Sequence, residues 1–339
     1  MIGWSFIQQQ AAVQRLKTGT SDWADQGNAA TSRNKMKHSE SKVSPKWDNK
    51  SLNKHRIGLP SVDTQFSLVP CDSHTKETAN SAQSKGKYRT LLVTTDNKIT
   101  KIMLNRPDKK NAINRVMYGE IIQALEAAAK DDSTLTVITG CGDYYCSGND
   151  LNNFVENLHE ILKNDGKWMK DFVNHFIDFP KPLVAVVNGP AIGVSVTLLG
   201  LFDLVYASDK AVFQTPFSQL GQTPEGCSTY TFPKIMGPVK ANEMLLFNKK
   251  ITADEACTQG LVTEVFADST FQAEVWTRLK AYANLPKNSL ALSKQLIRSV
   301  EKEILHAVNS RECDQLVERF FSDECMNAIT SFFQRKSKL

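Results

Sequence analysis

Apolar positions along this chain fall into two periods, and neither is sustained before Tyr88. Leu91-Leu-Val-Thr-Thr95 and Ile99-Thr-Lys-Ile-Met-Leu104 read as strands on either side of Asp96-Asn97, which predicts a hairpin turn. After the loop Asn105-Arg-Pro107, the residues Met117, Ile121, Leu125 and Ala128 keep helical spacing, so a helix is expected from Asn114 to about Lys130. Thr134-Leu-Thr-Val-Ile-Thr139 is a short buried strand ending at Gly140. Helices over about 151–163 and 167–178 follow, then the strand Leu183-Val-Ala-Val-Val187, the small-residue turn Asn188-Gly-Pro-Ala-Ile-Gly193, a helix to Leu201, and the strand Asp203-Leu-Val-Tyr-Ala207. Beyond Pro224 the periodicity is helical over 225–235, 238–247, 252–259, 269–284, 286–310 (with breaks) and 323–333, interrupted by a strand at Val262-Thr-Glu-Val-Phe266. Strands alternating with helices predict an α/β fold with largely parallel pairing, and the helical C-terminal third predicts a cap or an oligomerisation layer.

Composition changes this picture at one end only. Residues 1–88 are rich in Ser, Asn, Lys, Gln and Thr and hold thirteen Lys/Arg against seven Asp/Glu. Such a leader buries too little apolar surface to offset its ordering entropy, so disorder is expected there. The net charge of +5 resides in it, and the remaining 251 residues come to about −1, which argues against a nucleic-acid-binding body. The basic residues Arg15 and Lys17 flank an apolar patch too short to favour a mitochondrial presequence. The organisation read from this is a leader at 1–88, a core at 89–284 and a helical region at 285–339. No apolar run is long enough to span a membrane. Seven cysteines form an odd set with no CxxC pair, and six scattered histidines supply no metal spacing; reduced thiols and no metal site are expected.

Three turns carry candidate chemistry. In Cys146-Ser-Gly-Asn-Asp-Leu151, Gly148 permits a conformation that leaves the Asn149 N–H free, and Asn188-Gly-Pro-Ala-Ile-Gly-Val194 does the same for the Val194 N–H. Each alone is an ordinary strand-to-helix turn; together they could place two donors around one oxygen. The third turn is Thr215-Pro-Phe-Ser-Gln-Leu-Gly-Gln-Thr-Pro-Glu-Gly-Cys227, where Thr223 suits an N-cap and Pro224 the first helical position, making Glu225 a first-turn residue. Locally, Glu225 could simply complement the helix dipole.

With Asn105-Arg-Pro-Asp-Lys-Lys-Asn-Ala-Ile-Asn114, Tyr145-Cys-Ser-Gly-Asn-Asp-Leu151, Pro182-Leu-Val-Ala-Val-Val-Asn-Gly-Pro-Ala-Ile-Gly193 and Asp203-Leu-Val-Tyr-Ala-Ser-Asp209 in this order, the chain resembles the crotonase (enoyl-CoA hydratase/isomerase) superfamily over roughly residues 89–339. Through Phe213–Cys227 and Tyr230-Thr-Phe-Pro-Lys-Ile-Met236 it is most similar to the peroxisomal delta-3,delta-2-enoyl-CoA isomerases. The resemblance implies a spiral of ββα units and a homo-trimer or hexamer. It also implies an acyl-CoA thioester substrate with no separate cofactor, CoA being part of the substrate. The two hydratase glutamates would fall at Thr197 and Phe217, neither able to act as a base, whereas Glu225 stands where the isomerase pattern requires its single glutamate. For a proton shuttle near neutral pH, Glu225 should lie in an apolar pocket that raises its pKa, with Phe213, Phe217 and Leu220 as walls.

By the same resemblance Asn149 and Val194 form the oxyanion hole. Lys109, Lys110, Asn111, Ala112 and Ile113 receive the CoA, the lysines alternatively being a solvated loop. Ser147, Gly148, Asn149, Asp150 and Leu151 border the thioester, Asp150 reading best as a structural first-turn acid. Relatives of this type commonly carry an acyl-CoA-binding domain before the core, and residues 1–88 show no intact pattern of that kind. The final Ser337-Lys338-Leu339 is a peroxisomal address read by an import receptor, which implies the peroxisomal matrix. The competing reading is a non-catalytic crotonase-like module that binds acyl-CoA or a protein partner.

Overall fold

A computed structural model of the chain describes residues 87–152 and 166–336. The leader up to residue 86, the expected helix at 151–163 beyond Asn152, and Ser337–Leu339 lie outside the described residues. β1 (Leu91–Asp96) and β2 (Ile99–Leu104) form the expected hairpin, turned through Asn97 and Lys98, both with positive φ. The turn thus sits one residue later than Asp96-Asn97, with the two left-handed residues of a tight hairpin. α1 (Arg115–Lys130) is capped by Asn114, whose side chain accepts from the Met117 N–H at 2.9 Å. β3 (Leu135–Gly140), α2 (Lys167–Ile177) and β4 (Leu183–Val187) follow, then β5 (Ala191–Ile192) and the short α3 (Val194–Thr197), which continues as a 3-10 turn to Leu201.

β6 (Leu204–Ser208) and β7 (Val212–Gln214) lead to α4 (Ser228–Met236) and α5 (Pro238–Leu245). Next come β8 (Ile251–Thr252), α6 (Ala253–Thr258) and β9 (Glu264–Phe266). The C-terminal helices are α7 (Phe271–Ala283), α8 (Lys287–Ser299), α9 (Lys302–Phe320) and α10 (Asp323–Lys336).

Two sheets hold the strands. The larger runs β1-β2-β3-β4-β6-β9, with only the first pair antiparallel; the smaller runs β5-β7-β8. Two successive units place one strand in each sheet before a helix, β4 then β5 then α3 and β6 then β7 then α4, in keeping with the ββα spiral expected of the fold. The small sheet was not legible beforehand, because strands of two or three residues have no measurable period. α9 likewise runs ten residues past the expected end at 310. Leu305, Val308, Leu316 and Phe320 keep its buried stripe through the charged stretch around Arg311 and Asp314.

The central strands are buried on both faces, as parallel strands covered by helices must be. Leu183, Ala185 and Val187 of β4 face the main core with α1 and α2, while Val184 and Val186 face a second cluster with Phe271, Val275 and Leu279 of α7. A third cluster joins Met169 of α2 to Cys313 and Leu316 of α9 and Ile329 of α10. α8 departs from this pattern. Its one buried residue is Lys294, whose ammonium donates to the Lys181 carbonyl and pairs with Asp203, each at 2.7 Å. Leu296 and Ile297 are 73 % and 76 % exposed. Apart from Leu290, which packs against the second cluster, the helix meets the core through polar side chains and turns most of its apolar residues outward.

Candidate active site

The first two turns meet side by side. Cys146 bridges Ala191 in parallel register; the Ile192 N–H donates to the Cys146 carbonyl at 2.9 Å and the Cys146 N–H to the Pro190 carbonyl at 3.3 Å. Buried Ser195 ties the junction, its Oγ 2.9 Å from the Cys146 carbonyl and accepting from the Ile192 N–H at 3.1 Å. Gly148 has φ +82°, and a Cβ there would lie 2.6 Å from the Ile192 carbonyl oxygen, so this close approach is open to glycine alone. Among the described residues, neither the Asn149 N–H nor the Val194 N–H has an acceptor. An orphan donor pair on two touching turns is what anion stabilisation requires.

The loop at Lys109–Ile113 is locked from beneath. Lys110 and Asn111 both take left-handed φ, +52° and +54°. The fully buried Asn111 amide fixes them: its nitrogen donates to the carbonyls of Cys141 (2.9 Å) and Tyr144 (2.8 Å), and its oxygen accepts from the Arg106 N–H at 2.9 Å. The backbone N–H groups of Asn111, Ala112 and Ile113 are all spent on Arg106, Lys109 and Gly148 carbonyls. What the segment offers a ligand is therefore second lone pairs on its carbonyls, not donors. Lys109 and Lys110 are exposed at the rim, the Lys110 ammonium 4.9 Å from the centre of the Tyr144 ring.

Ser147 stands half-buried with its N–H on the Lys110 carbonyl. Asp150 pairs with Arg106 at 3.1 Å and accepts from Asn152, which fits the structural reading of this acid; Leu151 is half-buried. Arg106 also donates to the Ala112 carbonyl. It thus staples the loop to the first turn, a role hidden in sequence because its partners lie 44 and 6 residues away.

Glu225 is placed differently from expectation. α4 begins at Ser228, because Gly226 and Cys227 take left-handed φ of +70° and +63°. Glu225 therefore ends the irregular segment before the helix. Thr223 caps nothing: its Oγ1 is buried without a hydrogen-bond partner among the described residues. The turn is seated on α3, where a Cβ at Gly226 would meet Thr197 Oγ1 at 2.7 Å. Thr197 and Val194 share one turn of that helix, so the glutamate and the second orphan N–H are held on common support.

The Glu225 residue keeps part of its surface accessible, yet protein packed around its carboxyl pushes its pKa up to about 8, and the nearby negative charge of Glu312 adds to the shift. The elevation is as expected, while the groups that sense the Glu225 charge are not the anticipated Phe213, Phe217 and Leu220. Phe213 and Phe217 are buried and Leu220 half-buried, but Tyr118 of α1 and Cys313 of α9 are close enough for the Glu225 charge to raise their own pKa values. At the two hydratase-equivalent positions, Thr197 donates to the Val194 carbonyl at 3.1 Å and Phe217 is buried.

Glu312 and Tyr118 carried no sequence signal: each sits on the buried face of a helix, 87 and 107 residues from Glu225. Tyr118 packs edge-on against Trp168 and Phe172, with centroids 4.7 and 4.6 Å away. Among the described residues, no group of His, Cys, Asp and Glu could hold a metal ion, and no helix is long and apolar enough to cross a membrane.

Known proteins agree with this architecture. Residues 94–338 match the family described as enoyl-CoA hydratase/isomerase. Enoyl-CoA delta isomerase 2 of Homo sapiens is 60 % identical over 304 residues, covering 87 % of this chain and 77 % of that one. Enoyl-CoA delta isomerase 3, peroxisomal, of Mus musculus is 52 % identical over 300 residues, covering 86 % and 95 %. A crystal structure of an enoyl-CoA hydratase/isomerase from Pseudoalteromonas atlantica T6c superposes with a TM-score of 0.66 at 34 % identity, over 73 % of this chain and 98 % of that one. With this fold, these paired turns and this match, the chain belongs to the enoyl-CoA hydratase/isomerase family of the crotonase superfamily.

Proposed function

We propose that this protein is an enoyl-CoA isomerase that converts 3-enoyl-CoA to trans-2-enoyl-CoA. The observation that carries the reading is Glu225. It is a carboxyl with no hydrogen-bond partner among the described residues and a pKa raised to about 8, on a turn seated against the helix that supplies an orphan N–H. As carboxylate it removes a proton from C2 of the substrate, leaving a dienolate whose charge rests on the thioester oxygen. The Asn149 and Val194 N–H groups donate to that oxygen, each contributing on the order of 3 kcal/mol to the transition state. The same carboxyl, now protonated, returns the proton to C4, so the double bond moves and nothing is consumed. Hydration would need a second acid or base, and Thr197 and Phe217 supply none. The relatives named enoyl-CoA delta isomerases support this reading over a hydratase or a non-catalytic module.

The rim lysines Lys109 and Lys110 attract the CoA phosphates, the carbonyls of Asn111–Ile113 accept from its adenine amino group, and Ser147–Leu151 border the thioester. CoA is part of the substrate, and the reaction uses no separate cofactor. The outward apolar face of α8 supports assembly of copies into a trimer or hexamer. The tripeptide Ser337-Lys338-Leu339, and the peroxisomal name of one relative, support import by the receptor for that signal and work in the peroxisomal matrix on unsaturated acyl chains undergoing β-oxidation.

The test is an absorbance assay with a trans-3-enoyl-CoA, comparing wild type with Glu225→Gln. The amide keeps the shape and loses the base, so turnover should drop by roughly 10²-fold or more. Near-wild-type turnover in the variant would remove Glu225, and with it this mechanism.

A further inference from the structure

The turn carrying Glu225 is not held by its own helix. α4 has no side-chain cap from its N-cap residue, Cys227, and the free N–H groups there are met instead by Glu312, from the middle of α9. One Glu312 oxygen accepts from the Cys227 N–H at 2.6 Å; the other accepts from the Thr229 N–H at 2.9 Å and the Thr229 hydroxyl at 2.5 Å. Glu312 is buried, and no basic side chain forms an ion pair with it among the described residues. Its compensation is three donors and the positive end of α4. A group needed only to cap a helix could be supplied locally by Ser, Thr or Asp at the N-cap. A second carboxylate within the field of Glu225 calls for another account.

We propose that Glu312 is a positioning residue for the isomerisation, an inference that rests on Glu225 being the catalytic carboxylate: it clamps the turn that presents Glu225 and keeps a fixed negative charge beside it. The two carboxyls differ in what faces them. Glu312 has three hydrogen-bond donors and the nearby Arg311 favouring its charge, whereas Glu225 has no hydrogen-bond donor among the described residues. Burial raises the pKa of Glu312 as well, but its donors and Arg311 oppose that rise, whereas no donor opposes the rise at Glu225; of the two, Glu225 therefore holds the proton and Glu312 the charge. The other groups facing the pair are Tyr118 of α1, Cys227 at the start of α4 and Cys313 of α9, all with raised pKa values and so neutral near pH 7. Arg298 of α8 acts on Cys227 from further along the chain. Glu312 is thus the fixed anion that tunes Glu225.

Glu312→Gln keeps the size, removes the charge, and turns an NH₂ toward backbone donors. In the 3-enoyl-CoA assay its kcat should fall roughly 10- to 100-fold with KM nearly unchanged, as expected when a reacting group is displaced without loss of substrate contacts. The acidic limb of kcat/KM should move to lower pH, because the repulsion that opposes ionisation of Glu225 is gone. Glu312→Asp retains the charge but reaches less far, so its limb should stay at the wild-type position while kcat falls.

A limb that does not move in Glu312→Gln, or a kcat within twofold of wild type while Glu225→Gln is inactive, overturns the positioning role and leaves the isomerase reading intact. An active Glu225→Gln would instead remove the reading on which it rests. Should Glu312→Gln fail to fold, Thr229→Val decides. It deletes one of the three hydrogen bonds at an exposed residue, and a reduced kcat at unchanged KM supports the role, whereas wild-type kcat overturns it.

Discussion

Thr197 and Gly226 are in contact: a Cβ built on Gly226 would stand 2.7 Å from Thr197 Oγ1 and 3.2 Å from Thr197 Cβ. This contact sets the height of the Glu225 turn over α3. Gly226→Ala meets both a left-handed φ of +70° and a filled space, so it should destabilise the fold by about 1–3 kcal/mol. Thermal unfolding and the isomerase assay should fall together. A variant with wild-type melting and turnover would show that the turn can relax without consequence.

The same contact predicts what Thr197→Glu cannot do. Thr197 is fully buried, and the space beyond its side chain is already taken by Gly226. A glutamate there should overpack the site and lower stability rather than add a hydratase activity. Assaying the variant for water addition to a 2-enoyl-CoA checks this; measurable hydration would show room for a second carboxyl beside Glu225.

A Glu225 pKa of about 8 fixes the sign of two pH dependences. The base must be ionised, so kcat/KM should climb nearly tenfold per pH unit below about 8 and level off above it. For stability the folded pKa is raised above the unfolded value of 4.5. The contribution is then fully present below 4.5 and is lost as pH rises through about 8, because an ionised carboxyl is costly at this site. Glu225→Gln should therefore gain in melting temperature relative to wild type between pH 5 and 8. A constant difference across that range would contradict the raised pKa.

What could be read from sequence, and what could not, divides along physical lines. The strand runs Leu91–Leu104 and Leu183–Val187 and the helix ending at Lys130 were legible, because each buries a continuous run or a periodic stripe. The paired turns at Gly148 and Gly193 were legible because glycine at a strand-to-helix junction signals a backbone constraint; their contact came only with the fold. The helix start at Glu225 was misread because Thr223-Pro224-Glu225 is a good local start signal that loses to the left-handed pair Gly226-Cys227. Glu312 was invisible since its function depends on partners 83 and 85 residues away, and a Glu in a charged stretch of helix has no distinguishing period.

Asn111 offers a test of the CoA loop. Its buried amide holds two left-handed residues in place through the carbonyls of Cys141 and Tyr144 and the N–H of Arg106. Asn111→Ala leaves these groups unpaired in a region closed to solvent, which should cost about 2–4 kcal/mol and loosen the loop. KM for the CoA thioester should rise more than kcat falls, measured at a temperature well below the lowered melting point. A variant with unchanged KM would place the CoA elsewhere.

α8 supplies the last prediction. Its polar side chains are turned inward: Lys287 donates to the Asp131 carbonyl at 3.1 Å, Lys294 pairs with Asp203, and Arg298 reaches the Leu201 carbonyl at 2.8 Å. These contacts, with Leu290 packed against the second cluster, fasten the helix and leave Leu292, Leu296 and Ile297, with Val300 at its C-cap, mostly exposed. Each such side chain contributes roughly 1.5–3 kcal/mol when fully buried, so an uncovered row is a strong incentive for association. The proposed oligomer should cover it. The double variant Leu296→Glu with Ile297→Lys adds two opposite charges and so leaves the net charge unchanged, while making burial of that face unfavourable. Light scattering coupled to size exclusion should show wild type as a trimer or hexamer and the variant as monomer. The hydrogen bonds that fix α8 to the core are untouched, so the far-ultraviolet circular dichroism of the two should superimpose. A variant of wild-type mass, or a wild type that is itself monomeric, would mean that the outward apolar row of α8 is not what brings copies together.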